Sequence, residues 1–140
     1  MDALYTAEAL SVGDARNGQA YLADRSLDLR MSVPKEMGGA GDGANPEQLF
    51  ALGYAACFHS ALKLVASKVK ADTTDSAVGA RVSIGSNAAG GFELAVALEV
   101  SLPNVPVEQA RELAEAAHQV CPYSNATRGN IEVTVEVVED

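Results

Sequence analysis

The sequence predicts an α+β protein whose elements follow the order β-β-β-α-β-β-α-β. Three observations indicate this class. Several segments alternate apolar and polar residues, two longer segments have helical start signals or periodicity, and turn residues join neighbouring strands as hairpins. We therefore expect mostly antiparallel sheets arranged around a long buried helix, within a single domain covering residues 1–140.

Six segments have the character of strands. They cover residues 4–12, a short stretch from residue 21, and residues 27–33, 78–84, 92–102 and 131–137. Asn17-Gly18, between the first two segments, is a strong turn dipeptide. By contrast, residues 34–45 contain four glycines and no periodic pattern, which predicts a loop.

The first helix is predicted to begin at Asn45 and to run to about Lys68. Asn45 can cap the free N–H groups, Pro46 suits the first turn, and Gln48 completes a capping-box pattern. Residues 49–58 are apolar on every face, which is typical of a buried helix. Because a small domain cannot cover all sides of such a helix, a partner subunit is a natural cover.

The second helix follows Pro103 and Pro106 and should end at Cys121, because Pro122 comes next and drives residue 121 toward extended geometry. One stripe of this helix is apolar and should face the core. It consists of Ala110, Leu113, Ala114 and Ala117.

The composition excludes some classes of function. Ten Lys and Arg stand against nineteen Asp and Glu, a net charge of −9, so a nucleic-acid partner is not expected. No uninterrupted apolar run reaches the length of a membrane span, and the first residues lack the features of a signal peptide. We expect a cytoplasmic protein without a membrane partner.

Two cysteines are the candidate reactive groups. Cys57 lies in the middle of the apolar helix, where a buried thiol is most often a small core residue with a raised pKa. If Cys57 reacts, the fold must bring a cation to it. Cys121 lies 64 residues later, at a helix end, which suits either a mobile redox partner or an ordinary helix terminus. The spacing alone does not decide.

A zinc site is disfavoured although two histidines lie near the cysteines. His118 and Cys121 are three residues apart and can share a helix face. Cys57 and His59 are two apart, about 200° around a helix, and cannot easily bind one ion together. Each histidine is therefore interpreted as structural or exposed.

Several motifs resemble one known family across essentially the whole chain. Leu4-Tyr5-Thr6-Ala7, Val33-Pro34-Lys35-Glu36 and three longer segments, residues 45–50, 53–58 and 121–130, resemble the organic hydroperoxide resistance proteins. These form the Ohr branch of the Ohr/OsmC family. The resemblance implies an OsmC-like fold assembled as an intertwined homodimer, with active sites at the subunit interface.

The resemblance also implies a cysteine-based reductase of organic hydroperoxides, without a bound cofactor or metal. Cys57 matches the family's peroxidatic cysteine and Cys121 its resolving cysteine. Glu47 and Arg16 match its catalytic glutamate and arginine, although this chain has one extra residue in the turn around Arg16 (Gly13-Asp14-Ala15-Arg16-Asn17-Gly18). The implied reductant is dihydrolipoamide or a lipoylated protein.

The physical roles follow from these matches. Arg16 would favour the Cys57 thiolate, Glu47 would hold the guanidinium through a bidentate pair, and Cys121 would condense with the Cys57 sulfenic acid. An apolar wall would favour fatty-acid or alkyl and aryl hydroperoxides over hydrogen peroxide. Its predicted members are Met37, Leu49 and Phe50.

One spacing limits how these groups can meet. Glu47 and Cys57 are ten residues apart on one predicted helix, about 15 Å along its axis. We therefore expect Glu47 and Arg16 to act on Cys57 of the other subunit. The alternative function is a non-catalytic, stress-associated module that binds small molecules and has structural cysteines.

Overall fold

The computed structural model describes residues 1–139 and forms two compact units, Met1–Leu49 and the remainder from Phe50. The predicted fold class and element order are confirmed, with one additional short helix. The elements are β1 (Ala9–Val12), β2 (Gln19–Leu22), β3 (Asp28–Arg30), α1 (Pro46–Lys68), β4 (Ala77–Ser86), β5 (Phe92–Ser101), α2 (Val107–Val120), α3 (Pro122–Thr127) and β6 (Val133–Val137).

The first unit contains an antiparallel sheet in the order β1-β2-β3. β1 is shorter than predicted, because β2 has only four residues and pairs with Ala9–Val12 alone. Leu4 and Tyr5, which were expected in this strand, are almost fully exposed. Strand β3 is also short, and after it Met31 forms an isolated parallel bridge with Ala44.

The second unit contains a sheet in the order β4-β5-β6. β4 and β5 form the predicted antiparallel hairpin, whereas β6 pairs with β5 in parallel. The parallel pairing arises because α2 and α3 carry the chain back to the starting end of the sheet. Alternate residues of β5 and its extension point into the core, namely Val96, Leu98, Val100 and Leu102.

Helix α1 begins with the predicted capping box. The Asn45 N–H donates to Gln48 Oε1 across 3.0 Å, and the Gln48 N–H donates to Asn45 Oδ1 across 2.8 Å. These reciprocal bonds satisfy N–H groups that the first turn of a helix leaves free. They fix the start of the helix at Pro46, with Asn45 as the capping residue.

Within the single chain α1 is buried on one face only, so the expected burial of the whole helix depends on a further cover such as a partner subunit. One face is buried, comprising Tyr54, Phe58, Ala61, Leu62 and Ala66. Leu52 and Leu64 remain 68% and 54% exposed, because the second unit covers α1 from one side only. By length and composition alone α1 could also cross a membrane, as could many core helices of globular proteins.

Helix α2 buries the predicted stripe against the core, and it ends at Val120. Cys121 then has the extended backbone predicted from Pro122, with φ −65° and ψ 125°. Pro122 does not end helical structure altogether, because proline is well suited to a first helical turn and α3 starts there. The chain therefore bends sharply at Cys121.

Candidate active site

The second unit brings the two cysteines together. The Cys121 thiol donates toward Cys57 Sγ across 3.6 Å, and both residues are free thiols. Cys121 is fully buried, whereas Cys57 is partly exposed. Two cysteines that are 64 residues apart in sequence thus have their sulfur atoms close together. A modest movement would allow a disulfide bond between them.

The bend between α2 and α3 places Cys121 opposite Cys57. The Cys121 N–H donates to Ala117 O (2.9 Å), which closes α2, and the Cys121 carbonyl accepts from the Asn125 N–H (3.0 Å), which opens α3. Both backbone groups of Cys121 are therefore held, one by each helix. Its side chain is left to face α1.

Burial raises the pKa of the Cys57 thiol above its ordinary value. A hydrogen bond from the backbone N–H of Tyr123 opposes this effect, because it favours the thiolate, while the neighbouring Cys121 thiol reinforces the rise. Among the described residues, no cation contributes to the shift. The immediate surroundings of Cys57 therefore leave it mostly protonated at neutral pH.

In the first unit, Arg16 and Glu47 form a bidentate ion pair. Arg16 Nη1 donates to Glu47 Oε2 (3.0 Å), and Nη2 donates to Oε1 (2.8 Å). The hydrogen bonds from Arg16 are the main reason why the pKa of Glu47 is lowered. Both side chains are partly buried, so the pair is planar, charged and fixed in direction.

The turn that carries Arg16 is held by the backbone rather than by side-chain caps. Ala15–Asn17 form a single 3₁₀ turn, and Ala15 has a φ of 52°, which is unusual for a residue with a side chain. Gly18 packs against the backbone of Val12, where an added Cβ would clash. Asn17 Oδ1 accepts the Val33 N–H across 2.9 Å, which ties the turn to the following segment.

Three aromatic rings pack together in the second unit near the cysteines. Phe50, Tyr54 and Tyr123 have ring centroids 5.4–6.0 Å apart. Phe50 lies seven residues before Cys57 and thus on the same side of α1. Gly53 makes room for this cluster, since a Cβ there would lie 2.5 Å from Tyr123 Oη.

The three predicted pocket residues have different settings. Phe50 joins the aromatic cluster and is half-buried, and Leu49 is also half-buried. Met37, at the end of a 3₁₀ turn in the first unit, is 44% exposed. Their role in a substrate pocket stays a prediction.

Sequence reasoning missed a polar network behind the thiols. Tyr54 Oη lies 2.8 Å from Ser124 Oγ and 3.1 Å from Thr127 Oγ1, and His118 Nδ1 lies 2.7 Å from Ser124 Oγ. His118 was interpreted only as structural or exposed. No local pattern in the sequence pointed to this network, because its four members come from three separate helices and Ser124 and Thr127 are small polar residues of a short one.

The comparisons with known proteins agree with one family. The model of the OsmC-like protein family matches residues 39–136. An organic hydroperoxide resistance protein of Xanthomonas axonopodis pv. citri is 49% identical over 94% of this chain and 93% of its own length. The chain belongs to the organic hydroperoxide resistance (Ohr) branch of the OsmC-like family.

Solved structures of Ohr proteins have the same fold. An organic hydroperoxide resistance protein from Elizabethkingia anophelis, crystallised with thiocyanate, is 50% identical, covers all of both chains and superimposes with a TM-score of 0.95. A putative one from Vibrio cholerae, with captopril bound in one of its active sites, is 50% identical over 98% of this chain and 94% of its own, with a TM-score of 0.92.

Proposed function

We propose that this Ohr-branch protein is a cysteine-based peroxidase that reduces organic hydroperoxides to alcohols in the cytoplasm, without a bound cofactor. The observation that carries the proposal is the 3.6 Å separation of Cys57 Sγ and Cys121 Sγ. The names of the relatives support the class of substrate.

In the first step, the Cys57 thiolate attacks the outer oxygen of the hydroperoxide. The O–O bond breaks, the alkoxide takes a proton and leaves as the alcohol, and Cys57 becomes a sulfenic acid. Cys57 suits this role better than Cys121, because it is partly exposed while Cys121 is fully buried. The Tyr123 N–H would help to stabilise the thiolate.

In the second step, the Cys121 thiol attacks the sulfur of the Cys57 sulfenic acid. A disulfide forms and water leaves, which protects Cys57 from further oxidation. An external dithiol, which we take to be dihydrolipoamide or a lipoylated protein, then reduces the disulfide by thiol–disulfide exchange and is itself oxidised.

Activation of Cys57 requires a positive group, since burial raises the pKa of its thiol. We assign this role to the Arg16 guanidinium, held in place by Glu47. The continuous helix α1 separates Glu47 from Cys57 by about 15 Å of axis within one chain. We therefore propose that the Arg16–Glu47 pair of one subunit completes the site around Cys57 of the other.

The uncovered face of α1 supports a homodimer. Leu52 and Leu64 are large apolar residues left exposed on a helix whose opposite face forms the core. A second copy of the chain would remove them from water. In the assembled protein, Met37, Leu49 and Phe50 would supply an apolar surface that favours fatty-acid and alkyl or aryl hydroperoxides.

Steady-state turnover of tert-butyl hydroperoxide with dihydrolipoamide tests the proposal. Cys57→Ser should abolish turnover. Cys121→Ser should still consume one equivalent of peroxide per site but should not turn over efficiently. Undiminished turnover by Cys57→Ser would refute the proposal, and unreactive thiols in the wild-type protein would favour a non-catalytic module instead.

A further inference from the structure

A buried chain of hydrogen bonds connects the three helices around the two thiols. Tyr54 comes from α1, His118 from α2, and Ser124 and Thr127 from α3. Tyr54 and Ser124 are fully buried and Thr127 is 4% exposed. None of these side chains takes part in the reaction proposed above, so the cost of burying three hydroxyl groups calls for another role.

Counting the hydroxyl protons shows which atom donates in each of these hydrogen bonds. Thr127 Oγ1 lies 3.2 Å from the Ser124 carbonyl oxygen, which can only accept, so the single Thr127 hydroxyl proton is donated there. Tyr54 must then donate to Thr127 across 3.1 Å. With the Tyr54 proton used, Ser124 Oγ must donate to Tyr54 Oη across 2.8 Å.

The count ends at His118. Since Ser124 Oγ has donated its own proton, it must accept at the 2.7 Å contact with His118 Nδ1. Nδ1 of His118 therefore carries a proton, and the neutral ring is the Nδ1–H tautomer. Protonation of the ring would leave this donor in place.

The positions of these residues along the chain indicate what the network holds. His118 and Ser124 lie three residues before and three residues after Cys121, and their bond spans the bend at which Cys121 sits. Tyr54 lies three residues before Cys57, on the adjacent turn of α1. The network therefore clamps the bend and ties it to the turn of α1 next to Cys57.

We propose that His118, Ser124, Tyr54 and Thr127 form a directed hydrogen-bond relay that positions Cys121 for disulfide formation with Cys57. The inference rests on the proposed peroxidase function and deepens it. The Cys57 sulfenic acid has two fates: Cys121 attacks it and water leaves, or a second hydroperoxide oxidises it to the sulfinic acid and is reduced to the alcohol. By positioning Cys121, the relay favours the disulfide over the sulfinic acid.

Tyr54→Phe tests this role, because it removes one hydroxyl and keeps the ring. With excess tert-butyl hydroperoxide and no reductant, we expect the ratio of sulfinic acid to disulfide, measured by mass spectrometry, to rise about fivefold to tenfold, as for loss of one buried hydrogen bond. The rate of sulfenic acid formation, measured by dimedone trapping in a Cys121→Ser background, should change less than about twofold. Tyr21→Phe in the first unit is the matched control.

Three further measurements test the inference, and the first two do not depend on the peroxidase function. ¹⁵N NMR of the His118 ring should show the Nδ1–H tautomer above the pKa of the ring, whether or not the protein is a peroxidase. Diamide, whose azo group is reduced to a hydrazine as the two thiols form a disulfide, should oxidise Tyr54→Phe more slowly than wild type even if hydroperoxides do not react. His118→Asn keeps a hydrogen-bond donor at this position. Its ratio of sulfinic acid to disulfide should therefore stay closer to the wild-type ratio than that of His118→Leu.

The inference is overturned by an Nε2–H tautomer at His118. An unchanged ratio of sulfinic acid to disulfide together with an unchanged diamide rate in Tyr54→Phe would also overturn it. An equal loss of sulfenic acid formation and disulfide formation would do the same, because it would show a general structural effect rather than positioning of Cys121.

Discussion

At the scale of single residues, the reactivity of Cys57 depends on groups that oppose its burial. Desolvation raises the pKa of the thiol, and within the second unit the Tyr123 N–H is the group that favours the thiolate. A guanidinium brought within about 6 Å could lower a thiol pKa by about 1–3 units. The proposed contact with Arg16 would therefore decide whether Cys57 is a core residue or a nucleophile.

Arg16→Lys is expected to slow alkylation of Cys57 at neutral pH by about tenfold, as for a rise of about one unit in its pKa. Lysine keeps the charge but cannot form the bidentate pair with Glu47. Thiol reactivity measured against pH in a Cys121→Ser background checks this. Arg30→Lys, at the exposed pair with Asp42, is the control, and equal reactivity profiles for the two variants would exclude Arg16 from the site.

Gly53→Ala should displace the Tyr123 ring, because the new methyl group would lie 2.5 Å from Tyr123 Oη. The helix gains up to about 1 kcal/mol from alanine, while crowding costs about 1–3 kcal/mol. We expect a small net loss of stability and a slower reaction of Cys57, whose bond from the Tyr123 N–H is disturbed. Denaturant unfolding and peroxide consumption measure the two effects, and unchanged peroxide reactivity would count against a role for Tyr123.

At the scale of elements, the bend between α2 and α3 is the feature on which the thiol pair depends. His118 lies in the last turn of α2, and burial lowers its pKa; Glu115 opposes this shift and Arg128 adds to it. Because the folded state disfavours the protonated ring, the unfolded state binds more protons below the ordinary pKa of 6.5. The free energy of unfolding should therefore fall as the pH drops through and below 6.5.

The prediction is a lower denaturant midpoint at pH 5.5 than at pH 7.5, and a smaller difference in His118→Asn, which does not titrate in this range. Carboxylates also titrate toward lower pH, so the difference between the two proteins is the informative quantity. An identical pH dependence in wild type and His118→Asn would contradict the assignment of the shift to His118.

The elements with strong local signals could be predicted from the sequence. The Asn45–Gln48 capping box fixes the start of α1, and the alternation in β5 matches its buried residues. Helix α3 was not predicted, because a proline such as Pro122 is equally compatible with the end of one helix and with the first turn of the next. The parallel pairing of β6 depends on the path of α2 and α3, which no local pattern in residues 131–137 encodes.

The candidate site was only partly predictable for a related reason. Cys57, Cys121, Arg16 and Glu47 could be named from motifs, and the structure forms the expected Arg16–Glu47 pair. The relay through Tyr54 and His118 could not be named, because its partners are separated by up to 73 residues and meet only after three helices pack. Hydrogen bonds of this kind belong to the tertiary structure.

At the scale of the whole molecule, the central proposal is that two chains share a site. Helix α1 has one face in the core and apolar residues on the other, including Leu52 and Leu64. A face of this kind is typical of an interface rather than of a solvated surface. If a second subunit covers it, residues at the start of one α1 and the middle of the other can approach each other.

Mixing two inactive variants tests this arrangement. Arg16→Ala and Cys57→Ser subunits, unfolded and refolded together, should regain about a quarter of wild-type turnover, because half of randomly formed dimers are mixed and each holds one complete shared site. Either variant refolded alone is the control. If Arg16 acts on Cys57 of its own chain, the mixture should stay as inactive as its components.

The thiol pair itself is tested most directly by intact-mass measurement after one equivalent of an organic hydroperoxide, without reductant. We expect the protein to lose two hydrogens per chain and a peptide containing Cys57 to become linked to one containing Cys121. An unchanged mass, with both thiols still open to alkylation after unfolding, would contradict it.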